Sequence, residues 1–478
     1  MNHDLSRARS DLMTIATVKK KQVSFPFIAV LLCLIASTAP TSAQMNVIGY
    51  YASWHSTLLP YDKVHYADLT HINVAFAYPN ANGTMSYAAG IPFLQLVQTA
   101  HVEGTKVLIS LGGAGGSTHF SAATADSVIR NTLITHIVGF LQTNDYDGVD
   151  VDWETPANAT ETGQLTLFIQ EMRAKFDQVH PSWHITMAVP PTNWGGQHFD
   201  YLNLVSSVDW FNVMCYDFYG SWSGFAGHNS PLHQSTADPT QAGADSTAIV
   251  YMVSRGVPKT KLVLGIPFYG VQFNAGGLYQ PLTNSTTSNP FYSDVVSHLS
   301  SGWAYHWDDI SKVPYVLNGD STQFVTFEDT ISIRLKVEFA MRHQLGGLMC
   351  WELAHDVMAD GSQPLLEVMA KASRGVTRIE EEPIARTGYV FHDTFPNPFN
   401  PTSIVRFDLP VRSWVRLSIL NLLGETITSA ELGTLATGRH QHVVDLSGQP
   451  SGVYVCRIWI EGTNGQSLTL AKKMVLLK

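Results

Sequence analysis

Eight short runs of β-branched, aromatic and aliphatic residues recur between residues 46 and 353, each followed by a longer segment of helical period. They are NVIGYYASW (46–54), THINVAFAYP (70–79), KVLISLGG (106–113), DGVDVDWE (147–154), HITMAVPP (184–191), WFNVMCYD (210–217), KLVLGIPFYG (261–270) and GGLMCWEL (346–353). Near-continuous apolar runs read as strands buried on both faces, and strands that alternate with helices read as a parallel sheet. Eight such units between residues 44 and 375 predict an α/β fold, a (β/α)8 barrel. Two intervening stripes have helical spacing: Val128, Ile129, Leu133, Ile134, Ile137, Phe140 and Leu141, then Leu165, Phe168, Ile169, Met172 and Phe176. Both are read as core.

One gap breaks the rhythm. About 60 residues rich in Gly, Ser, Asn and aromatics separate Gly270 from a helix predicted near 330–344. Structureless loops of that length are uncommon, so a small α+β insertion is expected at about 271–328, beside the barrel mouth. Past Gly375 the composition changes. Glu380, Glu381, Glu382 and Pro383 mark a solvated linker, 376–391. From 392 to 478, IVRFDL, VRLSIL, HVVDL, GVYVCRIWI and LAKKMVLLK alternate with turns and predict a small all-β sandwich.

At the N-terminus, Lys19, Lys20 and Lys21 precede an apolar run from Val23 to Ala36, and small residues follow to Ala43. That order predicts a secretory signal peptide over residues 1–43. Its apolar run is too short, and too interrupted by Pro26, for a membrane span. Residues 1–43 carry a net +3, so the remaining chain carries −13 of the total −10. No basic run lies beyond Lys21, which argues against a nucleic-acid partner. Cys215, Cys350 and Cys456 are too scattered for a disulfide framework and have no zinc-ligand spacing, so buried free thiols are expected, with no metal and no cofactor.

The chemistry is concentrated in the fourth run, where Asp147, Asp150, Asp152 and Glu154 fall within eight residues. A strand has period two, so Asp150, Asp152 and Glu154 share one face and Val149, Val151 and Trp153 the other. In a barrel the apolar set packs on the outer helices. The carboxylates then point inward, with Glu154 nearest the C-terminal mouth. Close buried anions cannot all ionise independently; they share protons, and Glu154 can stay protonated near neutral pH, as a general acid requires. Two other readings use the same residues. A calcium loop also spaces acids by two, but it has polar residues between them and Gly at its sixth position, where this chain has Thr155. A solvated edge strand would not carry Val149, Val151 and Trp153 on its opposite face.

Taken together, these motifs resemble the family 18 glycoside hydrolases, the chitinases, over residues 46–375. DGVDVDWE fits the fourth-strand DxxDxDxE signature, SLGG (110–113) the third-strand motif and MCYD (214–217) the sixth-strand M-x-Y-D. FYGSWSGFAGHNSPL (218–232), GIPFYG (265–270), WDDISKVPY (307–315) and GGLMCWEL are similar to further segments of the family. One departure is Val271, where many relatives have Arg after FYG.

The resemblance implies a mechanism without a protein nucleophile, an exception to the usual two-carboxylate pattern of glycosidases. Glu154 would be the general acid and base. Asp152 would orient the substrate's 2-acetamido group, whose carbonyl oxygen attacks its own anomeric carbon, and Asp150 would share a proton with Asp152. Tyr216 and Asp217 would hold the acetamido group and the distorted sugar, and Met214 would pack below them. Trp351 would form the floor, with Tyr50, Phe76 and Tyr269 lining the pocket. Trp194 and Trp222 would be platforms for flanking sugars. Asp147 is assigned a structural role.

The tail has a resemblance of its own. FPNPFNPTSIVRFDLP (395–410), LSILNLLGE (417–425), SGVYVCRI (451–458) and KKMVLLK (472–478) are similar to the C-terminal sorting domain of the type IX secretion system. Gly452, Tyr454 and Lys473 would mark that fold. The expectation is a chitinase acting on chitin or N-acetylglucosamine oligosaccharides. It would be exported through a Gram-negative periplasm by the type IX machinery, then secreted or held at the cell surface as a monomer. An endo-β-N-acetylglucosaminidase and a non-catalytic chitin-binding lectin of the same fold stand as alternatives.

Overall fold

The computed structural model describes residues 45–374, 389–392, 394, 396–421, 426–463 and 467–478. The expected signal peptide and most of the expected linker lie outside the described residues. The eight runs form strands β1 (Asn46–Ala52), β2 (His71–Pro79), β3 (Lys106–Gly112), β4 (Gly148–Asp152), β5 (His184–Val189), β6 (Trp210–Val213), β7 (Leu262–Pro267) and β8 (Gly347–Trp351). All pair in parallel in the order 1-8-7-6-5-4-3-2, and β1 pairs with β2 to close the barrel.

The strands are apolar on both faces because two cores need them. Outward side chains such as Val149 and Val151 join the large core with Leu133, Ile137, Leu165 and Phe168 of the surrounding helices. Inward ones, Ile48, Tyr50, Leu108, Val263 and Met349, fill the barrel itself. Each fully buried side chain of this size contributes about 1.5–3 kcal/mol.

Helix α1 (Ser127–Asn144) starts where Asp126 accepts hydrogen bonds from the Val128 and Ile129 N–H groups. Such a cap contributes about 1 kcal/mol. One core expectation fails here, since Val128 is exposed. At 100° per residue it faces away from Leu133, Ile137 and Leu141, which are buried. Helix α2 (Ala159–Val179) buries Leu165, Phe168, Ile169, Met172 and Phe176 completely.

After β7 the chain builds a five-stranded antiparallel sheet, in the order Thr287–Ser288, Val271–Phe273, Phe324–Thr326, Val313–Leu317, Ala304–Asp308, with the helix Tyr292–Ser300. Helix α3 (Thr330–His343) then leads into β8. The tail forms a three-stranded and a four-stranded sheet, and Phe407, Leu409, Val415, Leu417 and Ile458 from the two share one core. Cys215, Cys350 and Cys456 are buried free thiols. Among the described residues no helix is long and apolar enough to cross a membrane.

Candidate active site

Strand register builds the first layer of the site. Asp150 lies opposite Ser110 on β3 and Thr186 on β5, so both hydroxyls point inward beside it. Ser110 Oγ donates to Asp150 Oδ2 at 2.9 Å and Thr186 Oγ1 to Oδ1 at 2.6 Å. The Tyr50 hydroxyl at 2.6 Å and Asn212 Nδ2 at 3.0 Å complete a set of four donors. Burial pushes the Asp150 pKa up, and the four hydrogen bonds to its carboxyl offset part of that rise. None of the four comes from Asp152. Among the described residues no hydrogen bond joins the Asp150 and Asp152 carboxyls directly.

Asp152 is the opposite case. It is buried, and its Oδ1 has no hydrogen-bond partner. Burial first, then the charges of Glu154 and Asp150, raises its pKa well above the ordinary carboxylate value. Burial of an oxygen without a donor favours the neutral carboxyl over a desolvated charge.

The ladder of β4 ends at Asp152, so Glu154 lies two residues beyond the paired strand. Ser117 holds it instead. Its Oγ accepts the Glu154 N–H at 2.9 Å and donates to the Asp152 carbonyl at 3.1 Å. The SLGG glycines make this crossing possible: at Gly112, with φ +113°, an added Cβ would lie 2.2 Å from the Asp152 carbonyl oxygen. Trp153 turns outward and stacks on Phe120 at 4.9 Å. Glu154 is exposed at the mouth; burial, then the Asp217 charge, raises its pKa.

Asp217 follows β6 at φ +56°, and its N–H donates to Asn229 Oδ1 at 2.9 Å. Its Oδ1 accepts the Tyr269 hydroxyl at 2.7 Å. Burial raises the Asp217 pKa, and the Tyr269 bond partly offsets the rise. Burial, followed by Asp152, Asp217 and Glu154, keeps the Tyr216 hydroxyl protonated. Among the described residues no Lys or Arg forms an ion pair with Asp150, Asp152, Glu154 or Asp217.

The aromatic floor lies beside these groups. Trp351 stacks on Phe76 at 5.7 Å and meets Tyr50 edge-on at 5.4 Å, while Met214 packs against the same inner core. Trp54 stands 5.9 Å from Phe76 and 6.4 Å from Trp351 with half its surface exposed. The sequence pattern shows Trp54 only as the end of a strand run. Trp194 and Trp222 are 90% and 69% exposed and do not join this cluster; they stand on the loops after β5 and β6. Asp147 accepts the Val107 N–H at 2.8 Å and pairs with His101 at 2.8 Å, at the other end of β4.

Comparison with known proteins places this geometry. Residues 46–356, well over half of the chain, match the family model for glycosyl hydrolases family 18. The chain belongs to that family. Residues 393–476 match the model of a secretion system C-terminal sorting domain. The family 18 chain is 27% identical over 405 residues to Chitinase A1 of Niallia circulans, covering 67% of this chain and 58% of that protein. It is 31% identical over 301 residues to an endochitinase of Manduca sexta, covering 56% and 54%. It thus spans little more than half the length of these curated relatives. Among solved structures, human YKL-39, described as a pseudo-chitinase that retains chitooligosaccharide binding, aligns at TM-score 0.64 and 24% identity, covering 69% of this chain and 100% of that one. That likeness speaks to the fold alone.

Proposed function

We propose that the barrel hydrolyses β-1,4-linked N-acetylglucosamine polymers with retention of configuration, using the substrate's own acetamido group as nucleophile. The observation that carries this reading is Asp152, a buried carboxyl whose Oδ1 has no partner, preceded on β4 by Asp150 with its four hydrogen bonds and followed by Glu154 at the mouth.

Chemically, each group has one task. Glu154, its pKa raised by burial and then by the Asp217 charge, gives its proton to the glycosidic oxygen as that bond breaks. The acetamido carbonyl oxygen closes on the anomeric carbon and forms an oxazolinium ion. An oxygen of Asp152 accepts the acetamido N–H, a bond that strengthens as positive charge moves onto the nitrogen. The Tyr216 hydroxyl donates to the acetamido oxygen and aligns it, while Asp217, fixed by Tyr269 and Asn229, holds the sugar's hydroxyls. Trp351 supports the apolar face of the ring, with Phe76 and Tyr50 behind it. Water then opens the oxazolinium from the same face as the departed group, giving its proton to Glu154. Trp194 and Trp222 serve flanking sugars.

The tail supports export by the type IX system across a Gram-negative envelope, with the enzyme secreted or at the cell surface.

Fully acetylated and fully deacetylated chitohexaose distinguish the readings. Cleavage of the first and not the second is expected. Equal rates on both would rule out assistance by the acetamido group. Tight binding of the acetylated chain without cleavage would make the protein a lectin.

A further inference from the structure

A second cluster lies at the C-terminal ends of β1 and β8, and the proposed reaction does not use it. His55 closes the short 3-10 turn Ser53–His55 after β1. Glu352 and His355 belong to the turn after β8, where Leu353–Asp356 forms one 3-10 turn. Sequence spacing shows only two of the three, Glu352 and His355, since His55 is 297 residues from Glu352. The barrel brings them together because β1 and β8 are paired neighbours. Glu352 Oε1 lies 2.8 Å from His55 Nδ1 and 3.2 Å from His355 Nε2. One potential ligand atom from each of the three residues lies within 4.8 Å of the other two.

We propose that His55, Glu352 and His355 form a binding site for one divalent transition-metal ion of the zinc class. Two imidazoles and one carboxylate are a ligand set that zinc accepts, with a fourth position left to solvent. Bonds of about 2.0–2.2 Å in a tetrahedron put ligand atoms about 3.3–3.6 Å apart, so the 3.2 Å spacing fits nearly as it stands and the 2.8 Å hydrogen bond between His55 and Glu352 would open on binding. The ligands are also supported. The second Glu352 oxygen accepts the Ala354 N–H at 2.9 Å, and Phe291 stacks on His355 at 4.2 Å. Glu352 and His355 are buried and His55 is partly exposed, so the solvent-facing side of the site is the His55 side. His355 Nδ1 is buried without a partner, which leaves Nε2 as the nitrogen turned toward the group. A bound ion would clamp the first and last turns of the barrel mouth, next to Trp54 and Trp351.

The test uses the untagged full chain and the metal ions alone, so its readouts do not depend on the proposed reaction. After dialysis against Zn2+ and then buffer, one equivalent of zinc per chain should remain by elemental analysis. Melting temperature should rise with Zn2+ concentration, and Co2+ in its place should give the visible bands of a four-coordinate ion. His55→Ala, a change on the exposed side, and Glu352→Gln, close in shape, should each weaken Zn2+ binding by more than about 100-fold, beyond the 10–100-fold typical of outer-shell partners. Absence of retained zinc in the unaltered chain would overturn the site, as would retention undiminished in both variants.

Discussion

The two ends of the barrel treat charge in opposite ways. At the closed end, where the strands begin, polar groups are matched. Arg173 pairs with Asp209 at 3.1 Å, the Ile185 N–H donates to Asp209 at 2.8 Å, and Lys106 lies 3.0 Å from His184. Burial pushes Asp209 up, but hydrogen bonds from His184 and Ile185 and the Arg173 charge bring it net below the ordinary value. Buried His71, held near pH 3 chiefly by burial, packs uncharged on Trp210. At the open end Asp150, Asp152, Glu154 and Asp217 are all pushed upward instead. The closed end pairs its charges, whereas the mouth holds its carboxyl pKa values up, as the proposed reaction requires of Glu154. A site that must donate and retrieve one proton needs the second arrangement.

The contrast can be broken by substitution. The largest effect is expected at the mouth: Glu154→Gln should reduce kcat on N-acetylchitohexaose by about 10²–10⁴-fold with little change in melting temperature. A loss below tenfold would remove Glu154 from the acid role. The reverse pattern is expected where charges are paired. Lys336 is buried against Asp245 at 3.0 Å and Glu328 at 2.8 Å, so Lys336→Met should cost about 3–5 kcal/mol in urea unfolding by leaving two buried acids uncompensated. A cost under about 1 kcal/mol, the scale of an exposed pair, would mean that the pairing is not structural.

Asp152 sharpens the comparison through pH. Its folded pKa lies above its unfolded one, so the folded state binds the extra proton, and this contribution is present below the unfolded value of about 3.9 and lost as pH rises through the folded value. Asp152→Asn should therefore match the unaltered chain in stability near pH 4 and exceed it increasingly toward neutrality, by at most about 1.4 kcal/mol per pH unit, while activity falls. A constant difference across that range would contradict the raised pKa. The smallest expected effect is at Trp54. Trp54→Ala should raise KM for long oligomers by about 2–10-fold, the 0.5–1.5 kcal/mol of an aromatic contact, with kcat unchanged. Unchanged KM would take Trp54 out of the cleft.

Much of this is legible from sequence because barrel strands have strict parity. Val149 and Val151 have to face the helices, so Asp150 and Asp152 have to face the axis. What parity cannot supply is where the ladder stops. Glu154 leaves the strand at a crossing set by Gly112 and Ser117, and no periodicity reports such a contact. The ring of donors on Asp150 is partly within reach, since Ser110 sits in the SLGG motif and Asn212 in the WFNVMCYD run. Joining them to Asp150 requires the register between strands, which becomes visible only on folding. His55 and Trp54 escape sequence reasoning for the same reason, as their neighbours are contributed by β2 and β8.

The most direct test of the central claim follows the first minutes of N-acetylchitohexaose cleavage by NMR, before mutarotation mixes the anomers. The expected result is fresh β-anomer at the new reducing end, the product of two displacements with the acetamido group as the first nucleophile. Fresh α-anomer would mean a single displacement by water, and the roles of Asp152 and Tyr216 in aligning the acetamido group would fall with it.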